Sequence, residues 1–435
     1  MSYLLNFVYI LTLTLLSPWL IYKALTTGKY RRGVWSKLSG RAFRRESNRP
    51  CVWFHGVSVG EIHLLRPVVA GFQKRHPDWE CVISTTTDTG YDEACKRFSD
   101  LPVFFWPFDF TWAVGRALDR VKPSLVLLAE CELWPNFLRI ARKKGIPVAV
   151  INGRMSPRSL RRFLKLSWLV RGLFRRLNLC AVQTEEYASA YRALGAGNVQ
   201  VTGSVKYDGA NSDRGNSKTR ELRRLLAIDD DALVWIAGST QAPEEEIVLN
   251  IYRKARQEHP NLRLILVPRQ KERFDEVTNL LDRSEFAFIR RSQVSPNHPV
   301  SRSLCPPIIL VDTFGELGAL WGLADVAFVG GSLDGNRGGQ NMIEPAAYGA
   351  AVLFGPHTWN FKDTVARLLE LQAAIQIVDA GELKRETLRL LADLEARDVL
   401  GRNARRFVQS QQGATERTLD ALDQLLHIRT HAEAA

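Results

Sequence analysis

Three stretches of this chain combine residue types that could activate a hydroxyl and hold a nucleotide. The first, His55-Gly56-Val57-Ser58-Val59-Gly60-Glu61, follows the apolar run 51–54 and places two glycines before an acid. At a strand-to-helix turn such an acid is either a plain helix-start charge on the dipole or a base toward a substrate hydroxyl. The second, Ala129-Glu130-Cys131-Glu132-Leu133-Trp134-Pro135-Asn136, puts two acids directly after the apolar run 125–128. Acids there are costly unless they pair with the basic residues downstream or are used in chemistry. The third runs from Gly330-Gly331-Ser332 through Gly338-Gly339-Gln340-Asn341-Met342-Ile343-Glu344. A glycine-rich loop leading into a helix N-terminus is an anion cradle, with Glu344 one turn in as an acceptor for ribose hydroxyls; the competing reading is a glycine hinge. Val267-Pro268-Arg269 and Asp312-Thr313-Phe314-Gly315-Glu316-Leu317 also follow apolar runs, and together these loops predict a nucleotide phosphate site in the C-terminal half. The eight histidines are scattered, and no acid pair or Ser/His/Asp arrangement marks a divalent-metal site or a serine hydrolase, so neither is expected.

The elements that must carry these loops are legible as alternation. Apolar runs at 51–54, 81–85, 103–105, 125–129, 148–151, 179–182 and 199–202 are separated by helical patterns such as 62–75, 90–97 and 137–144. After a polar stretch at 208–219 the alternation restarts at 234–237, 262–267, 286–289, 308–311, 326–329 and 352–354. Strands alternating with helices predict parallel sheets with right-handed crossovers. The expected fold is therefore α/β, two Rossmann-like domains facing a cleft, with ligands at the carboxyl ends of the strands. The expected boundaries are 1–22 for a membrane anchor, 23–207 for an N-terminal domain and 208–435 for a C-terminal domain.

Charge narrows the partners. With 59 Lys+Arg against 46 Asp+Glu the chain carries a formal +13, yet 46% hydrophobic and 24% charged residues are ordinary for a globular protein. Residues 1–22 hold no charge and are mostly apolar, and Lys23, Lys29, Arg31, Arg32, Lys37, Arg41, Arg44 and Arg45 precede the first acid, Glu46. This reads as a single-pass anchor serving attachment alone, with everything after Lys23 cytoplasmic; the competing readings are a buried helix of the globular part and a shallow interfacial helix. From Leu133 to Thr184 no acid occurs among twelve basic residues, including Arg139, Arg154, Arg158, Arg161, Arg162, Lys165 and Arg171, interleaved with Leu164, Trp168 and Leu169. Such a basic amphipathic stretch suits an anionic lipid surface, the competing reading being the solvated face of a core helix, and no nucleic-acid-binding motif accompanies it. The six cysteines form no C-x-x-C pair and are expected to be buried, reduced thiols.

Read in order, S-V-G-E (58–61), E-x-E-L-W-P-N (130–136), T-G-S-x-K (202–206), V-P-R (267–269), D-T-x-G-E-L (312–317), G-G-x-N-x-x-E (338–344) and G-P-H-T-x-N-F-K-D (355–363) resemble the bacterial Kdo transferases. The resemblance implies a GT-B fold and inverting, metal-independent transfer of 3-deoxy-D-manno-octulosonic acid (Kdo) from CMP-Kdo to a lipid A precursor such as lipid IVA. It implies no cofactor beyond the donor substrate, and a place at the cytoplasmic face of the cell inner membrane. It assigns Glu61 as general base and Glu130 and Lys206 as transition-state stabilisers. Pro268, Arg269, Phe314, Gly315, Glu316, Asn341, Met342, Ile343 and Glu344 fall in its CMP-binding segments. Where the family pattern has His, this chain has Gln241, Gln270 and Gln340. The competing expectations are a membrane-associated GT-B enzyme using another nucleotide sugar, and a catalytically silent lipopolysaccharide-binding scaffold.

Overall fold

The computed structural model describes residues 2–27, 32–295, 297, 299–300 and 306–434. Lys29, Arg31 and Cys305, named above, lie outside the described residues. The chain forms two compact units, Met1–Asp208 with Gln412–Ala435, and Gly209–Gln411.

The first unit contains strands β1 (Cys51–His55), β2 (Glu80–Thr85), β3 (Val103–Phe105), β4 (Leu125–Ala129), β5 (Val148–Gly153), β6 (Leu179–Val182) and β7 (Val199–Val201). Its helices are α1 (Ser2–Thr27), α2 (Val34–Ser39), α3 (Val59–Arg75), α4 (Asp88–Arg97), α5 (Thr111–Val121), α6 (Pro135–Lys143), α7 (Pro157–Lys165), α8 (Ser167–Phe174) and α9 (Glu185–Ala193). All strand pairs are parallel, in the order β3-β2-β1-β4-β5-β6-β7. Every residue of β1 and β4 is buried, as a parallel sheet covered on both faces requires. The two-residue strand period divides β1 between two cores: Cys51 and Trp53 join one cluster with Phe137 and Phe174, while Val52 and Phe54 join another with Ile62 and Phe72.

The second unit repeats the plan with β8 (Leu233–Thr240), β9 (Leu262–Pro268), β10 (Phe288–Arg290), β11 (Ile308–Leu310), β12 (Val326–Val329), β13 (Ala351–Phe354) and β14 (Ile375–Gln376). Their order is β10-β11-β9-β8-β12-β13-β14, again all parallel. The helices are α10 (Ser217–Leu225), α11 (Glu244–Glu258), α12 (Phe274–Asp282), α13 (Leu317–Leu320), α14 (Ile343–Ala347), α15 (Lys362–Glu370), α16 (Ala380–Ala392) and α17 (Leu394–Gln411). The expected strands are recovered, and the short β14 is added at the edge.

Three expectations need correction. The second unit ends at Gln411 instead of running to residue 435, because α18 (Ala414–Ala434) returns to the first. Leu419, Ala421, Leu422 and Leu425 of α18 enter the core beside α3, and a Cβ at Gly71 would stand 2.5 Å from Leu419 Cδ1. The helices are clamped by Arg75, whose Nη1 lies 2.7 Å from both Asp420 and Asp423.

The expected single-pass anchor at 1–22 is not borne out. Among the described residues no helix is long and apolar enough to cross a membrane. Polar residues interrupt the apolar run, and α1 spends them on the protein: Asn6 Nδ2 donates to Thr111 Oγ1 at 2.7 Å and the Tyr9 hydroxyl donates to Asp109 Oδ2 at 3.1 Å. A helix committed to protein along that side is docked, although Leu4, Phe7, Leu15, Trp19 and Leu25 remain exposed.

Cys51, Cys81 and Cys180 are buried free thiols as expected, but Cys131 is half-buried and Cys95 is exposed on α4.

Candidate functional site

In the first sheet the connections leave β1 and β4 toward opposite edges, so the crevice at their carboxyl ends is the topological switch point. Glu61 comes from the loop after β1 and Glu130 from the loop after β4. Glu61 lies in the first turn of α3, where its Oε2 accepts from Val57 N at 2.8 Å and its Oε1 from Ser58 Oγ at 3.1 Å. The helix-start reading is thus realised in part. Burial nevertheless pushes its carboxyl above the usual range against the Val57 amide; Glu130 adds to the rise and Arg154 opposes it.

Glu130 sits at φ +55°, a left-handed conformation uncommon for a residue with a side chain. Its Oε2 accepts from Arg154 Nε at 2.7 Å, and its Oε1 lies 3.7 Å from Lys206 Nζ. The alternative of an ion pair with the downstream basic stretch is therefore realised too, by Arg154. Lys206 is carried by the short 3₁₀ turn Val205–Tyr207. Buried Asn152 holds that turn, its Oδ1 accepting from Val205 N at 3.0 Å. Glu132 completes the group: burial first, then Glu61 and Glu130, push its carboxyl up to about 7. Glu61, Glu130 and Lys206 thus converge, together with Glu132, the second acid of that loop, and Arg154, which the sequence reading did not place in the site. Arg154 was hidden among twelve basic residues; its signal was its position just past a strand end. His55 is fully buried, its ring stacks on Trp106, and burial drives its imidazole down to about 3.

The second sheet has its switch point between β8 and β12. A pocket of about 460 Å³ is lined there by Gln241, Arg269, Gln270, Lys271, Glu272, Phe314, Arg337 and Gln340. Three cations against one acid make it a site for an anion. Phe314 is 63% exposed and offers a ring face. Gly315 is needed for its φ of +83°, not for space, because a Cβ there would meet nothing within 4 Å. Pro268 ends β9, and Arg269 N donates to Thr240 O at 3.0 Å, fixing the start of the pocket wall.

The remaining residues assigned to the CMP segments divide. Asn341 Nδ2 donates to Glu344 Oε1 at 3.0 Å, and burial raises the Glu344 carboxyl while Arg269 lowers it, so Glu344 borders the same charge field. Glu316 is engaged elsewhere, accepting from Arg291 at 2.8 Å and from the Thr313 hydroxyl. Met342 and Ile343 are core side chains.

The glycine-rich cradle is the main correction. The amides of Gly331, Ser332 and Leu333 all donate to the buried carboxylate of Glu244, at 2.8, 3.0 and 3.2 Å. That turn is filled from within, and the expected helix N-terminus is the five-residue α14, which starts only at Ile343. The outer half of the loop is braced by the segment after β13: Asn360 N donates to Gly338 O at 3.1 Å, and a Cβ at Gly338 would stand 2.4 Å from Trp359. The anion-binding capacity therefore rests with Arg269, Lys271 and Arg337. Gln241 and Gln340 meet beside Gly331, whose added Cβ would lie 3.5 and 3.2 Å from their amide nitrogens.

The chain matches the family described as 3-Deoxy-D-manno-octulosonic-acid transferase (kdotransferase) over residues 31–209. It is 34% identical over 376 residues to a 3-deoxy-D-manno-octulosonic acid transferase of Haemophilus influenzae, covering 85% of this chain and 86% of that one. A protein of the same name from Bordetella pertussis is 32% identical over 439 residues, covering 96% and 99%. Among solved structures, UDP-GlcNAc 2-epimerase from Neisseria meningitidis superposes with a TM-score of 0.54 at 14% identity over 87% of this chain and 100% of that one. Acinetobacter baumannii MurG does so with 0.54 at 13% over 86% and 99%. These likenesses establish a GT-B-like fold of two α/β units with parallel sheets.

Proposed function

This chain belongs to the 3-deoxy-D-manno-octulosonic acid transferase family, and we propose that it moves Kdo from CMP-Kdo to a lipid A precursor, with inversion and without a metal. Glu61 takes the proton of the acceptor hydroxyl as that oxygen bonds to the anomeric carbon of Kdo, and the bond from that carbon to the CMP phosphate oxygen breaks. The observation that carries this reading is Glu61 itself, a half-buried carboxylate of raised basicity at the β1/β4 switch point. Glu130 contributes negative charge that keeps Glu61 basic, while Arg154 and Lys206 supply cations beside it. In the second unit Arg269, Lys271 and Arg337 bind CMP-Kdo and take up the charge of departing CMP. Phe314 offers its face to the base, and the Asn341–Glu344 pair accepts from the ribose.

The acceptor is reached at a membrane surface. α7 buries none of its residues and presents Arg158, Arg161, Arg162 and Lys165, while Trp168 at the start of α8 is 79% exposed. α8 packs on α6, and Asn136 at the start of α6 donates to Asn6 of α1 at 3.2 Å, so these helices share one side of the first sheet. Their apolar and basic side chains suit interfacial binding to the anionic cytoplasmic face of the inner membrane.

Incubating the purified protein with CMP-Kdo and detergent-dispersed lipid IVA, followed by mass spectrometry of the lipid, tests the reading. A mass gain of one or more Kdo units supports it. Turnover of UDP- or GDP-sugars with none of CMP-Kdo would replace it by another glycosyl transfer, and silence toward every donor by a binding role.

A further inference from the structure

We propose, on the footing of that function, that α1 is a positioning element for the loop carrying Glu130 and Glu132, acting through Asn6, Tyr9 and Asp109. The loop 130–134 ends at α6, whose N-cap residue Trp134 provides no side-chain cap. The orphaned first amides are satisfied from another loop: buried Asp109 accepts from Asn136 N at 2.9 Å through Oδ2 and from Phe137 N at 2.8 Å through Oδ1. Its backbone carbonyl accepts from Asn136 Nδ2 at 2.6 Å.

Asp109 is in turn tied to α1. The Tyr9 hydroxyl donates to Oδ2, and Asn6 bridges the two helix starts, its Oδ1 accepting from Thr111 N and from Asn136 Nδ2 at 3.2 Å each. The other end of the loop is pinned by Glu130 N donating to Ile151 O at 2.9 Å, beside the β4–β5 ladder. With both ends pinned, the carboxylates between them have little freedom. Asn6 and Tyr9 are thus the polar residues of an apolar helix that connect it to the transfer machinery. Their role is separate from membrane attachment, which the exposed apolar residues of α1 serve.

The full-length double variant Asn6→Ala/Tyr9→Phe, and separately Asp109→Asn, should be assayed on detergent-dispersed acceptor, where attachment to a bilayer is not limiting. We expect kcat to fall by about tenfold to a hundredfold, the cost of misplacing groups by up to an ångström. KM for CMP-Kdo and CMP affinity, which report on the second unit, should stay put. Amide exchange should quicken over residues 130–137 and not across the rest of the sheet. Full kcat with unchanged exchange in both variants overturns the proposal, as does a loss of exchange protection spread over the whole unit. If the wild-type protein transfers no Kdo, the functional reading fails; exchange at 130–137 then still judges the positioning network by the same criterion.

Discussion

Glu244 Oε2 lies 2.8 Å from the backbone nitrogen of Gly331, in the very turn whose glycines advertise a phosphate cradle. Its two oxygens accept from four amides in all, those of Gln241, Gly331, Ser332 and Leu333. Gly330 is glycine for the same reason, since a Cβ there would stand 2.6 Å from this carboxylate. Glu244→Ala strands four buried donors, and we expect it to cost about 3–5 kcal/mol of unfolding free energy in the second unit, as breaking a buried charge-assisted set does. Glu244→Gln should not rescue it fully, because an amide nitrogen would face donors. Urea unfolding followed by Trp fluorescence measures both, and an unchanged midpoint would show that the loop holds itself.

Glu61→Gln keeps the size of the side chain and an oxygen for Val57 N while removing basicity. Transfer should fall by about two to four orders of magnitude, the usual contribution of a positioned base, with CMP binding intact. In the wild type, burial places the Glu61 carboxyl above the ordinary carboxylate range, so the rate should decline as pH drops through that raised value and protonation disables the base. Single-turnover rates across pH 4–8 read this directly; near-normal turnover by the variant excludes Glu61 as base.

Arg154 offers a finer test of the same cluster. It pairs with Glu130 at 2.7 Å and lowers the Glu61 carboxyl that Glu130 raises. Arg154→Met therefore leaves the Glu130 charge unopposed on that side, and the acid limb of the transfer rate should move to higher pH. Rate–pH profiles of variant and wild type, superimposable in their acid limbs, would remove Arg154 from the electrostatics of the site.

What the residues disclosed in advance follows from how parallel sheets are built. Their strands are apolar runs buried on both faces, so β3, β4, β6 and β12 were legible to the residue, and the chemistry-bearing loops followed as whatever came after each run. Partners were harder, because periodicity says that a face is buried without saying against what. The apolar residues of α18 could cover either sheet, and its contacts decide, Leu419 against Gly71 and Asp420 and Asp423 on Arg75. Glu244 opens α11 with Glu245 and Glu246, three acids in a first turn that read as solvated dipole charges until Glu244 and Glu245 prove to turn inward. Apolar composition likewise pointed α1 into a bilayer, whereas two polar side chains, Asn6 and Tyr9, dock it.

Gln340 tests whether the donor pocket has given up a titratable group. Its side chain lines the pocket with Arg269, Lys271 and Arg337, at one of three positions where the family pattern has His, and all three glutamines lie in the same pocket. An amide donates one neutral hydrogen bond to an anion at any pH, whereas an imidazole adds charge once protonated, and charge-assisted bonds are roughly twice as strong. CMP affinity of the wild type should therefore show no step near neutral pH arising from position 340. Gln340→His should tighten CMP binding below about pH 6.5, where a histidine beside a phosphate gains its proton, and change it little at pH 8. The three resident cations work against this by disfavouring the imidazolium in the empty pocket, so the gain should emerge mainly in the bound state. Calorimetric titrations of CMP at pH 5.5, 6.5 and 8 for both proteins measure it. Affinities that change in parallel would mean that residue 340 only braces the Gly331 turn and does not touch the phosphate.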